Sequence, residues 1–258
     1  MNVFETKEIQ NKIQGLETHI QSVLSGRIFH VPDLSARDLE VREPLEHPPK
    51  KGLSSKEGQA RLLHDLASIE LQAMELALRT LTEYHHQIKG TQYLDLLVQL
   101  VLSERSHLQL CLNGIRDLGF EWGHWPVHMA LWKAVAVDDT LIERVFIVHR
   151  FLEGSGLDAA DTLLRRLSGV DGKHIDKIVK TISTEEMDHV QFGSQWFFDL
   201  CKREKLDADS VFKNTLYSVR VKLPKRLEPI NSDLRQRALF TVSEIETLKA
   251  FQSASSKS

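Results

Sequence analysis

Two half-motifs recur along the chain at nearly equal separation: Glu70 stands 34 residues before Glu104-x-x-His107, and Glu153 stands 33 residues before Glu186-x-x-His189. On a helix, residues three apart differ by about 60° in azimuth and about 4.5 Å in rise, so a Glu and a His at that spacing can grip one ion from one face. A single Glu on each of two helices, with a Glu-x-x-His on each of two others, is the donor inventory of a four-helix bundle holding two metal ions. The chain is therefore expected to be all-α, with Glu70, Glu104, His107, Glu153, Glu186 and His189 converging on a shared pair of ions.

A lone Glu-x-x-His occurs on many ordinary helices and would carry little by itself. The weight comes from two copies in apolar surroundings: Ile69, Leu71, Ala73 and Met74 flank Glu70, and Glu104 follows LVQLVL. Carboxylates gathered in a core repel one another and must be protonated unless a cation joins them. Four of them neutralise two divalent cations, and mixed carboxylate and imidazole ligation suits iron or manganese better than a thiolate-seeking metal. Two iron ions are the expected cofactor, with manganese or a mixed pair as alternatives.

Helical periodicity places the motifs. Phe4, Ile9, Ile13, Leu16, Ile20 and Leu24 predict a leading amphipathic helix over residues 3–25. Pro32, Pro44, Pro48 and Pro49 then mark an extended connection to Ser54. The capping signal Ser54-Ser55-Lys56-Glu57 opens a helix over 55–84, and a second over 92–118 stops at Gly119. The aromatic stretch FEWGHWPVHMALW reads as the crossover between two helical hairpins. A third core helix is expected over 140–152, stopped by Gly154 and Gly156, with Glu153 near its end and Asp158 capping a short segment after it. A fourth spans 173–202. Beyond it come a helix near 209–219, the basic strip VRVKLPKRLEP, a last helix near 232–251 and a disordered tail, SASSKS. The expected division is an N-terminal helix and wrapping segment, 1–54, a di-metal four-helix bundle, 55–203, and a helical C-terminal extension with its tail, 204–258.

A formal charge of −3 gives no general footprint for nucleic acid or an anionic membrane, so such a partner would need a local basic patch. Two cysteines, Cys111 and Cys201, make neither a disulfide framework nor a CxxC site, which predicts a reducing, cytoplasmic setting. The start, MNVFETKEIQNK, lacks an apolar leader region, and no run is long enough to span a membrane.

Other side chains compete less well for the site. His149, four residues before Glu153, reads as a satisfied core histidine ahead of a ligand's outer partner. His64 should point elsewhere, and His85 and His86 should be solvated at a helix end. Cys111 reads as buried filler, while Glu185 is either an outer partner of an imidazole or solvated. His128 ranks low as a channel residue. Ala73, Gly154, Gly156 and Gly193 either leave room for an organic substrate or serve as stops and packing contacts.

The blocks HDLASIELQAMELAL, SERSH, WPVHMALW, FLEGSGLD, EEMDHVQFGSQWF and EPINSDLRQRALFTVSEI resemble, in that order, those of a bacterial ferritin-like family known as domain of unknown function 455. The resemblance covers residues 26–250. It implies a ferritin-like bundle whose metal ligands are the same six residues. It is also akin to the di-iron tRNA hydroxylases, within a superfamily that includes ferroxidases and manganese catalases. The chain departs from the pattern in two places. It has Ser103-Glu104-Arg105-Ser106-His107 for Glu-Glu-Ala-Arg-His, and Glu153-Gly154-Ser155-Gly156 for Glu-Ala-Arg-Gly.

Two ferrous ions held mainly by carboxylates favour two-electron reduction of dioxygen. The leading expectation is thus a di-iron oxidase or hydroxylase acting on dioxygen and an unidentified organic substrate, with an unidentified electron donor. The alternatives are a tRNA-modifying hydroxylase using the basic strip at Arg220, Lys222, Lys225 and Arg226, a ferroxidase or iron-binding protein without organic substrate, and a purely structural bundle. Tyr84, Tyr93 and Tyr217 lie too far along their helices from the ligands for a radical mechanism. A homodimer is one possible assembly.

Overall fold

The computed structural model describes residues 1–170, 173–220 and 228–255. Among these the chain is all-α: helices are joined by irregular segments, and the one departure is an isolated parallel bridge between Val41 and Val127. No helix among the described residues is long and apolar enough to cross a membrane. Two compact units divide the chain, Met1–Lys133 and Ala134–Ser258.

In the first unit, helix α1 spans Ile9–Leu24. It begins later than the periodicity suggests, because residues 3–8 form turns in which the Val3 amide donates to Nδ1 of buried His19. The extended connection follows, touched by a short 3-10 turn at Pro44–Glu46. Helix α2 runs Lys56–Ile88, opened by Ser55, whose side chain accepts the Gly58 amide. After a tight turn, in which Gly90 takes a φ of +79°, α3 runs Gln92–Asp117 and ends before Gly119 at +83°. These two helices pack along each other as a hairpin. Their buried stripe includes Leu63, Ala67, Leu71, Met74 and Leu78 on one and Leu97, Val101, Leu108, Cys111 and Ile115 on the other.

In the second unit, Thr140 caps α4, Leu141–Arg144, in a capping box with Glu143. The expected stop at Gly154 does not occur. The backbone passes from α4 into a π-helical run, Val145–Leu152, and then into α5, Glu153–Leu167. Glu153 therefore sits inside a long continuous helix at the change from wide to normal winding. Asp158 is no cap but a mid-helix residue.

Gly154 is helical for a packing reason, since a Cβ there would stand 2.0 Å from Nη1 of Arg235. Helix α6, Lys173–Glu204, packs against the π-helical run and α5. Its Gly193 allows a close approach, because a Cβ would meet the carbonyl oxygen of His149 at 2.0 Å. Helix α7 is Ala208–Ser218. The expected single last helix is two, α8 at Ser232–Arg237 and α9 at Val242–Ser255, broken where Leu239 takes a φ of +65°. Helix α9 thus continues into the stretch expected as a disordered tail, and residues 256–258 lie outside the described residues. Phe146, Phe197, Phe212 and Phe240 form the aromatic core of this unit, with Phe146 and Phe212 edge to face at 5.0 Å.

Candidate metal centre

Each unit gathers one copy of the repeated triplet. In the first, Glu104 and His107 occupy the buried stripe of α3 alongside Leu97, Leu100, Val101, Leu108 and Cys111. Glu70 lies in the buried stripe of α2. Nδ1 of His107 stands 3.5 Å from Oε2 of Glu70 and 3.5 Å from Oε2 of Glu104. Two carboxylates from neighbouring helices thus frame one imidazole, all three buried.

In the second unit, Glu186 and His189 fall on the stripe of α6 that continues through Ile175, Ile178, Ile182 and Val190, and Nδ1 of His189 is 3.5 Å from Oε1 of Glu186. Glu153 is their electrostatic neighbour. Burial pushes its carboxyl above the usual range and Glu186 adds to this, while His149 and His189 oppose it. Nδ1 of His149 lies 3.0 Å from Oε1 of Glu153 across one helical turn, so the imidazole N–H donates to the carboxylate. The histidine read as an ordinary core residue is therefore the orienting partner of a candidate ligand; its spacing of four was the available signal. Its ring is held against Phe192 and Trp196, each at 5.9 Å.

The donors fit a divalent cation. Glu104, His107, Glu186 and His189 carry donor atoms of the kind that could hold a metal ion. The second oxygen of Glu153, Oε2, is buried without a hydrogen-bond partner, an arrangement that costs free energy unless a cation is ligated. Thiolate does not compete: burial pushes the Cys111 thiol well up, and both cysteines are free and buried. The residues match a carboxylate and imidazole metal site rather than a sulfur one.

Other candidates fall away from these clusters. His64 stacks on Trp122 at 4.7 Å and accepts the Gly123 amide. Helix α2 continues to Ile88, so His85 is half-buried, and His86 is exposed. Glu185 is exposed. His128 accepts the Ala130 amide within the crossover. Gly154 and Gly193 are filled by Arg235 and by the His149 backbone, so neither leaves room for a substrate; Gly156 faces open space. Of the basic strip, Lys222, Lys225 and Arg226 lie outside the described residues, while the Arg220 guanidinium lies over the ring of Phe251.

Sequence reasoning passed over a second pattern. Five residues after each single Glu stands a buried acid: Glu75 after Glu70 and Asp158 after Glu153. Glu75 takes Arg37 through both oxygens, at 3.0 and 2.5 Å, with Lys12 at 2.7 Å and the Ser35 hydroxyl at 2.6 Å. Burial raises its carboxyl pKa, but Arg37 and Lys12 outweigh that and hold it below the usual range. Asp158 takes Nε and Nη2 of Arg235 at 3.0 and 2.8 Å.

A family model described as "Protein of unknown function (DUF455)" matches residues 5–246. A Haemophilus influenzae protein named "Uncharacterized protein" is 29% identical over 204 residues, covering 77% of this chain and 70% of that protein. No solved structure matches the chain.

Proposed function

We infer, for a chain that belongs to the family described as Protein of unknown function (DUF455), that the two triplets together hold a pair of metal ions in a ferritin-like four-helix bundle. Iron is the metal that this carboxylate-rich donor set suits best, which makes the protein a non-haem di-iron oxidoreductase. The observation that carries the reading is the recurrence of the half-site: a Glu and a Glu-x-x-His, brought together on paired helices, once in each unit. When bound, two ferrous ions supply the two electrons that reduce dioxygen.

The chain's own groups prepare that chemistry. Glu104 and Glu186 bring charge to one face of α3 and α6, and His107 and His189 add nitrogen donors one turn along. Glu70 and Glu153 supply oxygens from the partner helices. His149 turns one oxygen of Glu153 toward itself and leaves Oε2 for ligation. Apolar neighbours keep water from the donors, which strengthens each charge interaction there.

Oxidation or hydroxylation of an organic substrate is the first reading. A ferroxidase or iron-binding role without an organic substrate is the second, and the filled space at Gly154 and Gly193 favours it. Anaerobic loading with Fe(II) followed by brief oxygen exposure tests both. The expected result is two iron ions per chain and a transient visible absorption. Decay of that band faster in one fraction of extracted metabolites or RNA marks an organic substrate, and insensitivity to every fraction marks the ferroxidase. Protein that takes up no iron under these conditions overturns both readings.

A further inference from the structure

The segments outside the ligand-bearing hairpins make the same contact twice. Arg37 comes from the connection after α1, and Arg235 from α8. Each reaches a buried carboxylate five residues beyond the single Glu of the triplet in its own unit, and each does so through two hydrogen bonds to that acid. Five residues along an α-helix correspond to about 7.5 Å of rise and about 140° of rotation. The paired acid therefore sits on the flank of the helix turned away from the candidate ligand. A bond on that flank fixes the rotation of the helix about its axis, and with it the direction in which the ligand side chain projects.

In the second unit a further pair brackets Glu153 from the other side. Arg150, three residues before it, is fully buried, forms two hydrogen bonds to Glu244 of α9 at 2.7 and 2.8 Å, and lies over the rings of Phe197, Phe212 and Phe240. Asp158 with Arg235 holds the helix beyond Glu153, and Arg150 with Glu244 holds it before. The Arg235 guanidinium also fills the space that a side chain at Gly154 would take, next to the ligand itself.

We propose that Arg37 and Arg235 are positioning residues, and that the N-terminal connection and the C-terminal helices act as matched clamps setting Glu70 and Glu153 for metal binding. The inference rests on the di-metal reading above. It explains why the repeat extends past the donors to a second acid at the same offset.

The test uses full-length protein and Co(II), whose visible absorption reports coordination. Removing one charge of a buried pair can unfold a protein, whereas replacing both by apolar side chains of similar volume often leaves stability unchanged. Two combined variants are therefore compared with wild type: Glu75→Leu with Arg37→Met and Lys12→Met, since Lys12 is the second buried cation on Glu75, and Asp158→Leu with Arg235→Met. Wild-type protein should bind two Co(II) per chain. The combined variants should keep their helix content and melting temperature. They should bind Co(II) about ten- to a hundredfold more weakly with an altered spectrum, as loss of outer partners does elsewhere, and amides around Glu70 or Glu153 should exchange faster in the metal-free protein. Wild-type affinity and spectrum in the folded combined variants would sink the clamps and spare the di-metal reading. Wild-type protein that binds no Co(II) would sink that reading, and the clamps with it.

Discussion

Nδ1 of His149 and Oε1 of Glu153 lie 3.0 Å apart on one helix, at the point where π-helical winding gives way to α. The imidazole Nδ1 can donate only one hydrogen here, and giving it to Oε1 leaves Oε2 buried without a hydrogen-bond partner, available to the proposed metal. Outer partners of this type set both the direction and the basicity of a ligand.

Replacing His149 by Phe keeps the contacts with Phe192 and Trp196 but removes the hydrogen bond. The expected outcome is unchanged helix content, with metal affinity lowered by roughly ten- to a hundredfold. Calorimetric titration with Co(II) measures it, and wild-type affinity in H149F would refute the role.

Substituting His107 or His189 by Ala should cut bound iron from two ions per chain to one or none, read by elemental analysis after desalting. Native-state ligand binding raises stability by about 2.7 kcal/mol when free metal is a hundred times its dissociation constant. A chelator should therefore lower the melting temperature of wild type and leave that of a His107→Ala, His189→Ala double variant where it was. Equal chelator sensitivity in both would contradict the assignment.

Acid should weaken the fold through His64, whose imidazole burial pushes down to about 4 from 6.5. The unfolded chain then binds more protons between those values. The contribution of His64 is complete well above pH 6.5 and is lost as the pH falls toward 4, with about 2 kcal/mol of it gone by pH 5. His19, also held near 4 chiefly by burial, acts in the same direction. Urea midpoints measured from pH 7 to 4.5 should fall steadily in wild type and less steeply in His64→Phe; parallel slopes would count against this.

Two glycine substitutions should have opposite signs. Gly193→Ala drives a methyl against the His149 carbonyl and should cost about 1–3 kcal/mol. Gly156→Ala faces open space inside α5 and should add about 0.5–1 kcal/mol. Melting curves of the two proteins decide it.

The spacing that sets each Glu beside its Glu-x-x-His, and most helix limits, were legible because they follow local rules. Ser55 announces the start of α2, and Gly119 the end of α3. Where the reading went wrong, a distant partner had overridden the local rule. Gly154 looks like a stop until Arg235 arrives from 81 positions later to lie on it. The break at Leu239 carries no turn signal, because leucine rarely adopts the left-handed region and is held there by the structure around it. The π-helical run has no composition of its own. The pairing of Glu75 and Asp158 with arginines could not be seen because those arginines stand 38 and 77 residues away.

The run at Val145–Leu152 makes chain length near Glu153 a variable of the direction in which its carboxylate projects. A π-turn holds more residues than an α-turn, and an α-helix advances about 100° per residue. Deleting one residue there either closes the segment to α winding, with the Thr140 cap and Glu153 kept nearly in register, or keeps the wide winding and turns one relative to the other by nearly a right angle. Homologues differing by a single-residue gap at this point would then share Glu153 and still differ in the winding that aims it.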